Sequence, residues 1–381
     1  MTIVSINKKE IDVPEGTMVL EAAKQAGYNI PTLCQLEGTH PKGACRVCLV
    51  EIEGARGLSA SCSTPVMEGM NISTNSNRVR NARKAVVEML LSEHNGDCQT
   101  CIRSNDCELK EMAREMGIND IHYSGEKAVS IHDRSTAALV RDNGKCIKCR
   151  RCVSVCGEVQ NVGAIFPQGR GFDSTIGPAF TSDLDDVVCV QCGQCAAVCP
   201  VGAIYEKNHV DQVWEALNDP DKVVLVQTAP AIRAALGECF NMEPGLPVTG
   251  KMVTALRQLG FDKVFDTNFA ADLTIMEEGT ELLTRLKKAL VDKEEVALPQ
   301  FTSCCPGWIK YAEHKAHDML PHLSTCKSPQ QMFGAVAKTW FAETISRNIE
   351  DIVVVSVMPC TAKKYECDRP ELTDSGMKDV D

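Results

Sequence analysis

Fifteen of the 21 cysteines in this 381-residue chain fall into four spaced groups before residue 200. Thiolates are the soft ligands of zinc and of iron–sulfur clusters, and they pair as disulfides only where the compartment is oxidising. The N-terminus, Met1-Thr-Ile-Val-Ser-Ile, runs into Lys8-Lys9-Glu10 and lacks the long apolar stretch of a secretion signal. Spaced thiols without an export signal point to a reducing, cytoplasmic setting and to bound iron. A chain that uses its cysteines this way moves electrons.

The first group is Cys34, Cys45, Cys48 and Cys62, around Gly43-Ala44-Cys45-Arg46-Val47-Cys48. Four thiolates hold a 2Fe–2S centre, and Gly43 and Ala44 let the backbone approach the sulfides. The pattern is similar to plant-type ferredoxins, with a longer Cys34–Cys45 gap. The second group is His94, Cys98, Cys101 and Cys107, ordered His-x3-Cys-x2-Cys-x5-Cys. It resembles the His-ligated 4Fe–4S site shared by iron-only hydrogenases and the large iron–sulfur subunit of respiratory complex I. A neutral imidazole in place of a thiolate makes such a cluster less negative and raises its potential.

The third and fourth groups are copies. Cys146, Cys149, Cys152 and Cys156 make Cys-x2-Cys-x2-Cys-x3-Cys, and Cys189, Cys192, Cys195 and Cys199 repeat it before Pro200. Val162-Gly163-Ala164-Ile165 follows the first run and Val201-Gly202-Ala203-Ile204 the second, with extra residues in the first copy. In such two-cluster ferredoxins the fourth cysteine of each run ligates the other cluster. The spacing therefore predicts one 4Fe–4S centre on Cys146, Cys149, Cys152 and Cys199, and another on Cys189, Cys192, Cys195 and Cys156. Lys145, Lys148, Arg150 and Arg151 either offset cluster charge or form a solvated basic face. Structural zinc is the alternative reading of each thiol group.

Elements must hold these ligands. Alternating residues predict a hairpin of strands 3–6 and 11–13 turning at Asn7, then a helix over 18–26 ending at Gly27. An amphipathic helix is expected over 78–93, with Val86, Val87, Met89, Leu90 and Leu91 as its apolar positions. From about residue 209 strands alternate with helices: Lys222–Gln227, Lys263–Phe265, Val296–Thr302 and Ile352–Val357. That order predicts an α/β sheet whose ligands bind beyond the C-terminal strand ends. Two cysteine loops lie there. Thr302-Ser303-Cys304-Cys305-Pro306-Gly307-Trp308 has adjacent thiols that cannot readily hold one metal together, with Pro306 suited to the first position of a helix. Met358-Pro359-Cys360-Thr361-Ala362-Lys363-Lys364-Tyr365-Glu366 sets a cysteine and two lysines at a strand end.

Together these loops resemble the first two signatures of the iron-only (FeFe) hydrogenases, and the likeness runs from residue 1 to 381. The resemblance implies reversible reduction of protons to hydrogen at an H-cluster, a 4Fe–4S cube joined to a two-iron unit. It implies Cys305 and Cys360 as ligands of the cube, Cys304 as proton donor or acceptor, and Lys363 as a hydrogen-bond donor to a cyanide. Met358, Ala229, Pro230 and Gln330 match the pocket wall, and Glu278, Glu281 and Ser324 match the family's proton path. Read without the resemblance, the two glutamates are surface carboxylates. Cys239, Cys326 and Cys367 have no matching role and are expected to be buried thiols.

The implied fold class is multidomain α+β and α/β. It comprises a β-grasp 2Fe–2S domain (1–77), a His/Cys3 4Fe–4S domain (78–125), a two-cluster ferredoxin domain (138–208) and part of an α/β catalytic domain (209–381). The implied cofactors are one 2Fe–2S cluster, three 4Fe–4S clusters and, in the complete enzyme, the H-cluster. The implied partners are ferredoxin or an NAD(P)H-linked subunit, with protons and hydrogen as substrates and maturation proteins to insert the two-iron unit. The family's third signature, a Cys-x3-Cys stretch with glycines, does not occur in these residues. We therefore expect a truncated chain that leaves apolar surface and strand edges exposed and, if complete at 381 residues, has no hydrogen activity. The alternative is a non-catalytic electron-transfer subunit related to the complex I large iron–sulfur subunit. That subunit has no reason to carry the two catalytic-type loops. A net charge of −11 argues against nucleic acid, and no 18-residue apolar run predicts a membrane span.

Overall fold

At the N-terminus, alternation in Thr-Ile-Val-Ser-Ile builds β1 (Thr2–Ile6), which pairs antiparallel with β2 (Lys9–Val13) through Ile6↔Lys9. Asn7 and Lys8 turn the hairpin with φ of 48° and 70°. These left-handed angles match the strand twist, and Asn tolerates them well. The Asn7 amide also holds Thr74, donating to its Oγ1 at 2.7 Å and accepting from its backbone N at 2.9 Å. The computed structural model describes residues 1–124, 127 and 130–381. The expected domain limit at residue 125 lies outside the described residues.

The N-terminal region continues through α1 (Val19–Gln25), β3 (Leu49–Ile52), β4 (Ser59–Ala60) and β5 (Asn71–Ser73). The five strands order β2-β1-β5-β3-β4, with β5 parallel to β1 and antiparallel to β3. Val4, Ile6, Val13 and Ile72 form one core with Val19, Ala22 and Ala23 of α1. Burying each large aliphatic side chain there contributes roughly 1.5–3 kcal/mol. Next come α2 (Asn77–Glu93) and α3 (Glu108–Glu115). Ser76 caps α2 by accepting from Val79 N. Val87 is buried, whereas Met89 is 49% exposed. At about 100° per residue Met89 rotates off the apolar face, so its assignment to that face is corrected.

The duplicated region contains β6 (His132–Asp133), β7 (Leu139–Asp142), α4 (Arg151–Ser154), β8 (Phe166–Gln168), β9 (Thr175–Gly177), α5 (Gln194–Ala197) and β10 (Ile204–Glu206). Both α4 and α5 begin one residue before the third cysteine of their run, so the repeat is structural as well as sequential. The extra residues of the first copy, between Cys156 and Val162, continue the helical turn Val155–Val159, and the antiparallel hairpin β8–β9 lies between the two copies.

By its internal contacts the chain divides into two units. The first holds residues 1–135, 139–189 and 194–205, and the second holds 136–138, 190–193 and 206–381. In the second, β11 (Val223–Thr228), β12 (Lys263–Asp266) and β13 (Ile352–Val357) form a parallel sheet ordered β12-β11-β13. Central β11 is buried from Val224 to Thr228, as a parallel strand covered on both faces must be. The helices that concern the site are α6 (Val210–Asn218), α7 (Ile232–Ala235), α8 (Thr249–Gln258), α9 (Asn268–Lys287), α10 (Pro306–Lys315), α11 (Pro329–Val336), α12 (Ala342–Thr344) and α13 (Ala362–Cys367).

Three expectations change here. Val296–Thr302 is not a strand of this sheet, because it makes only a parallel bridge, Phe301↔Leu323. Pro299 offers no ladder N–H there. Cys239 is exposed, in a 3₁₀ turn beside the 68%-exposed Phe240, and Cys326 is half-buried. The edge of β13 is covered at one position, where Asp381 N donates to Val354 O and Val354 N donates to Asp381 Oδ2. Apolar side chains do stand exposed on α9, among them Met276 and Leu283. Among the described residues no helix is long and apolar enough to cross a membrane.

Candidate functional site: thiol groups and two cysteine loops

Within the first unit, Cys34, Cys45, Cys48 and Cys62 are all buried and their thiols face one another. Cys34 meets Cys45 and Cys62, and Cys48 meets Cys62. Those contacts hold the Cys34 and Cys48 thiols below their ordinary pKa, while the Cys45 thiol is raised by Cys34 and the Cys62 thiol by Cys34 and Cys48. Four thiols so close cannot all ionise unless a cation compensates them, which fits iron. Gly43 at φ 57° places the loop.

His94 ends α2 and Cys107 begins α3, so the two helices deliver the ends of the second group. His94, Cys98, Cys101 and Cys107 line one hollow with Gly202. A Cβ on Gly202 would lie 2.6 Å from Cys101 Sγ, so glycine keeps the hollow open. His94 Nδ1 is buried without a hydrogen-bond partner, and burial holds the imidazole below its usual pKa. A buried neutral imidazole with an orphan nitrogen is what a metal ligand requires.

Cys146, Cys149, Cys152 and Cys199 line a third hollow with Ile176 and Arg150. Three thiols of the first run thus meet the last thiol of the second. Burial pushes the Cys146 thiol up to about 11 and the Cys149 thiol to about 12, so neither ionises at neutral pH without a metal. Cys189 is buried, and Cys156, Cys192 and Cys195 are half-buried. Among the described residues no three His, Cys, Asp or Glu groups close on a single ion. The residues of a hollow that holds several irons stand further apart than ligands of one ion.

Three of the four local cations are paired, and Arg150 is exposed without an ion pair among the described residues. Lys148 pairs with Glu93 at 2.9 Å, Lys145 with Asp142 at 3.5 Å, and Arg151 grips Glu108 with both nitrogens at 2.6 and 2.9 Å. Arg151 and Lys148 thereby fasten the duplicated region to the ends of α3 and α2.

In the second unit the Cys360 loop follows the C-terminus of β13, and the Cys304-Cys305 loop follows the Phe301 bridge into α10. Cys305 is the N-cap of α10, and Pro306 occupies its first turn as the sequence predicts. Cys304, Cys305 and Cys360 are exposed. Lys363 draws the loops together, donating to Cys304 O at 2.9 Å and to Glu366 Oε2 at 2.8 Å. Ser328 Oγ and Gln330 Nε2 donate to the same carboxylate at 2.9 and 3.0 Å. Gln227 Nε2 in turn donates to Gln330 O at 3.0 Å. Ala229 N donates to Val357 O, so Ala229 and Pro230 follow β11 beside Met358 at the end of β13. Ala229 is buried, Met358 half-buried and Pro230 exposed.

On α9, Glu281 accepts from Ser324 Oγ at 2.7 Å and from Thr325 N at 3.1 Å, and pairs with Arg285 at 2.7 Å. Burial alone would raise its pKa, but these bonds outweigh it and hold the carboxyl below the usual carboxylate value. Glu278 Oε1 is buried without a partner. The structure therefore joins Glu281 to Ser324 directly, while no hydrogen bond is seen to Glu278 Oε1.

Sequence reasoning passed over Glu366, Gln227 and Arg285. Arg285 was findable, since it stands four residues after Glu281 on one helix. Glu366 offered only its i,i+3 spacing from Lys363, while its partners Ser328 and Gln330, like the partner of Gln227, are distant in sequence. Cys367 is buried as expected, with its thiol pushed up to about 12 by burial, and its sulfur accepts from Gln330 Nε2 at 3.2 Å. A further contact was invisible in the sequence. Thr361 Oγ1, next to Cys360, donates to Gln191 O at 2.8 Å, next to Cys192. A Cβ on Gly193 would meet Thr361 Oγ1 at 2.5 Å, so glycine permits this approach.

Fold and thiol sites define an iron–sulfur protein with a mixed α/β multidomain build and a hydrogenase-like α/β region. Residues 222–381 match the iron only hydrogenase large subunit, C-terminal domain. Residues 1–77 match a 2Fe–2S iron–sulfur cluster binding domain, 83–122 the NADH-ubiquinone oxidoreductase-G iron–sulfur binding region, and 145–203 a 4Fe–4S dicluster domain. NADP-reducing hydrogenase subunit HndD of Solidesulfovibrio fructosivorans is 53% identical over 386 residues, which cover 100% of this chain and 66% of that protein. Iron hydrogenase 1 of Clostridium pasteurianum is 40% identical over 383 residues, covering 100% of this chain and 66% of that protein. The chain thus spans 66% of the length of these two relatives. A crystal structure of NAD+-reducing [NiFe]-hydrogenase in the H2-reduced state aligns at a TM-score of 0.50 and 31% identity, covering 54% of this chain and 87% of that one. The chain belongs to the iron-only hydrogenase large-subunit family.

Proposed function

We propose that the chain serves reversible proton reduction to hydrogen, with electrons relayed through one 2Fe–2S and three 4Fe–4S clusters to an H-cluster. The four domains implied by the sequence, with its limits at 77, 125, 138–208 and 209, belong to this reading. Cys34, Cys45, Cys48 and Cys62 hold the first cluster. His94, Cys98, Cys101 and Cys107 hold the second. The crossed sets Cys146/149/152/199 and Cys189/192/195/156 hold the others. One observation carries the relay into the catalytic loops: the Cys192 loop and the Cys360 loop share the Thr361–Gln191 hydrogen bond.

Cys305 and Cys360 would bind the H-cluster, which supplies the redox chemistry of proton reduction when bound. Cys304 holds the exchanging proton at Sγ beside that site, free of a ligand role because its neighbour takes it. Lys363, fixed by Glu366 and by Cys304 O, presents an ammonium that offsets anionic charge in the pocket. Met358, Pro230 and Gln330 form the pocket wall. Glu281 and Ser324 pass protons between their bonded oxygens, and the unpartnered Glu278 Oε1 is the next acceptor toward Cys304.

The name of the NADP-reducing relative supports an NADP-linked subunit as electron partner; ferredoxin as the other partner, a cytoplasmic setting and maturation proteins that supply the two-iron unit belong to the reading of the sequence. The test is hydrogen evolution with reduced methyl viologen by the native polypeptide, isolated anaerobically from its host. Hydrogen turnover supports the reading. Reducible clusters without any turnover favour the non-catalytic electron-transfer alternative.

A further inference from the structure

In a chain of net charge −11, one cleft of about 530 Å³ in the first unit is basic. Lys42, Lys148 and Arg150 line it, and no acidic residue does. Lys42 lies in the loop that carries Cys45, while Lys148 and Arg150 flank Cys149. Lys42 and Lys148 each share a carboxylate, Glu158 and Glu93, but Arg150 is exposed and has no ion pair among the described residues. The opposite wall is the hairpin β8–β9 between the two copies, through Pro167 to Gly169 and Ser174 to Ile176.

Two features turn this cleft into a port. Arg150 and Ile176 line both the cleft and the Cys146/149/152/199 hollow, so a single layer of side chains separates them. The hairpin region also exposes aromatic rings: Phe166 is 46% exposed, Phe172 49%, and Phe180, just beyond the hairpin, 94%. Exposed aromatics beside a basic patch are the composition of a protein interface rather than of a solvated loop.

We propose that this cleft docks an acidic electron-transfer protein, which exchanges electrons with the cluster on Cys146, Cys149, Cys152 and Cys199. The proposal rests on the relay reading above. The cations are spread over two loops rather than gathered at one point, which suits scattered surface carboxylates better than a single phosphate. Arg150 is the anchor, because its guanidinium can take a partner carboxylate with two bonds. Phe172, in the turn between the lining residues Gly169 and Ser174, and Phe180, three residues after β9, are the exposed rings that we assign to apolar contact with the partner. No new bond forms; one electron leaves the reduced partner and enters the cluster.

The experiment uses the full chain with its clusters reconstituted anaerobically, and a reduced acidic ferredoxin as the probe. Affinity is measured by calorimetry at low and high salt, and cluster reduction by the loss of visible absorbance. Arg150→Glu should weaken binding about tenfold at low salt and flatten its salt dependence. Phe172→Ser with Phe180→Ser should weaken binding severalfold while reduction by methyl viologen radical stays unchanged. If Arg150→Glu loses iron, the phenylalanine pair decides alone. Full ferredoxin affinity in the phenylalanine variant, or displacement of ferredoxin by NADP+ from the wild-type chain, would overturn the proposal. Failure of the relay reading looks different, because the wild-type clusters would then not be reduced by viologen.

Discussion

The relay thiols and the catalytic-loop thiols are held in opposite ways. Most relay thiols are buried or half-buried, Cys98 being exposed; Cys34, Cys45, Cys48, Cys62, Cys149 and Cys199 are buried, and apolar neighbours such as Val47, Ile147 and Val201 share their core clusters. Cys304 and Cys305 stand exposed at the start of α10 and Cys360 just beyond β13, and the polar set Lys363, Glu366, Ser328, Gln330 and Gln227 positions their loops. A relay site must only hold its cluster and exclude water, which packing does well. A catalytic site must also admit protons and a substrate, so its ligands cannot be sealed and hydrogen bonds must take over the positioning.

That contrast can be tested from both sides, and the largest expected effect is in the exposed loops. Cys304→Ala in the native polypeptide should lower hydrogen turnover by about 10²–10⁴-fold, the usual worth of a positioned proton donor. Reduction of the relay clusters by viologen should be unaffected. If turnover survives, Cys304 is only a packing residue.

Next come the crossed ligands. Cys199→Ala should empty the hollow shared with Cys146, Cys149 and Cys152, removing about four of roughly fourteen irons. The centre assigned to Cys189, Cys192 and Cys195 should keep its paramagnetic signal when reduced. Loss of that second signal instead would show that each run serves its own cluster.

A smaller effect is expected where the Cys192 and Cys360 loops meet. Gly193→Ala at φ 75° places a Cβ 2.5 Å from Thr361 Oγ1, whose hydroxyl is already committed to Gln191 O. The cost should be about 1–3 kcal/mol, read as a lower thermal midpoint. An unchanged midpoint would mean that this approach is loose.

The smallest effect is on pH dependence. Glu281 and Glu158 are both held below the ordinary carboxylate pKa, and Glu158 is brought to about 2 by Lys42 and His40. A depressed carboxylate stabilises the fold above its unfolded pKa of about 4.3, and that contribution is lost as pH falls through the folded value. Glu158→Gln and Glu281→Gln should each flatten the loss of stability below about pH 4.3 while changing little at low pH. Parallel denaturation profiles for variant and wild type would show that these pairs are screened by solvent.

Local signals carried most of the first unit. The Cys-x2-Cys runs and the alternation of Thr2–Ile6 are short-range patterns, and the duplicated motifs at 162–165 and 201–204 exposed the repeat. What stayed illegible depends on residues far apart in the chain. The strand partners Leu49–Ile52 and Asn71–Ser73 carry too little alternation to declare themselves. Gln227 reaches Gln330 across 103 residues, and Thr361 reaches Gln191 across 170, with no motif to announce either. Val296–Thr302 misled for the opposite reason: its local apolar pattern is strand-like, but Pro299 and the lack of a sheet partner override it. The catalytic reading came from resemblance, since two exposed loops do not by themselves specify a reaction.

The claim that the first 200 residues form a four-cluster relay, with most of its thiols packed away from solvent, is tested most directly by metal analysis. The chain, reconstituted anaerobically with iron and sulfide in the presence of zinc, should take up about fourteen irons and little zinc. On reduction it should show one 2Fe–2S and three 4Fe–4S paramagnetic signals. A chain that binds zinc at His94/Cys98/Cys101/Cys107 or at Cys34/Cys45/Cys48/Cys62, and stops near eight to twelve irons, would contradict the account.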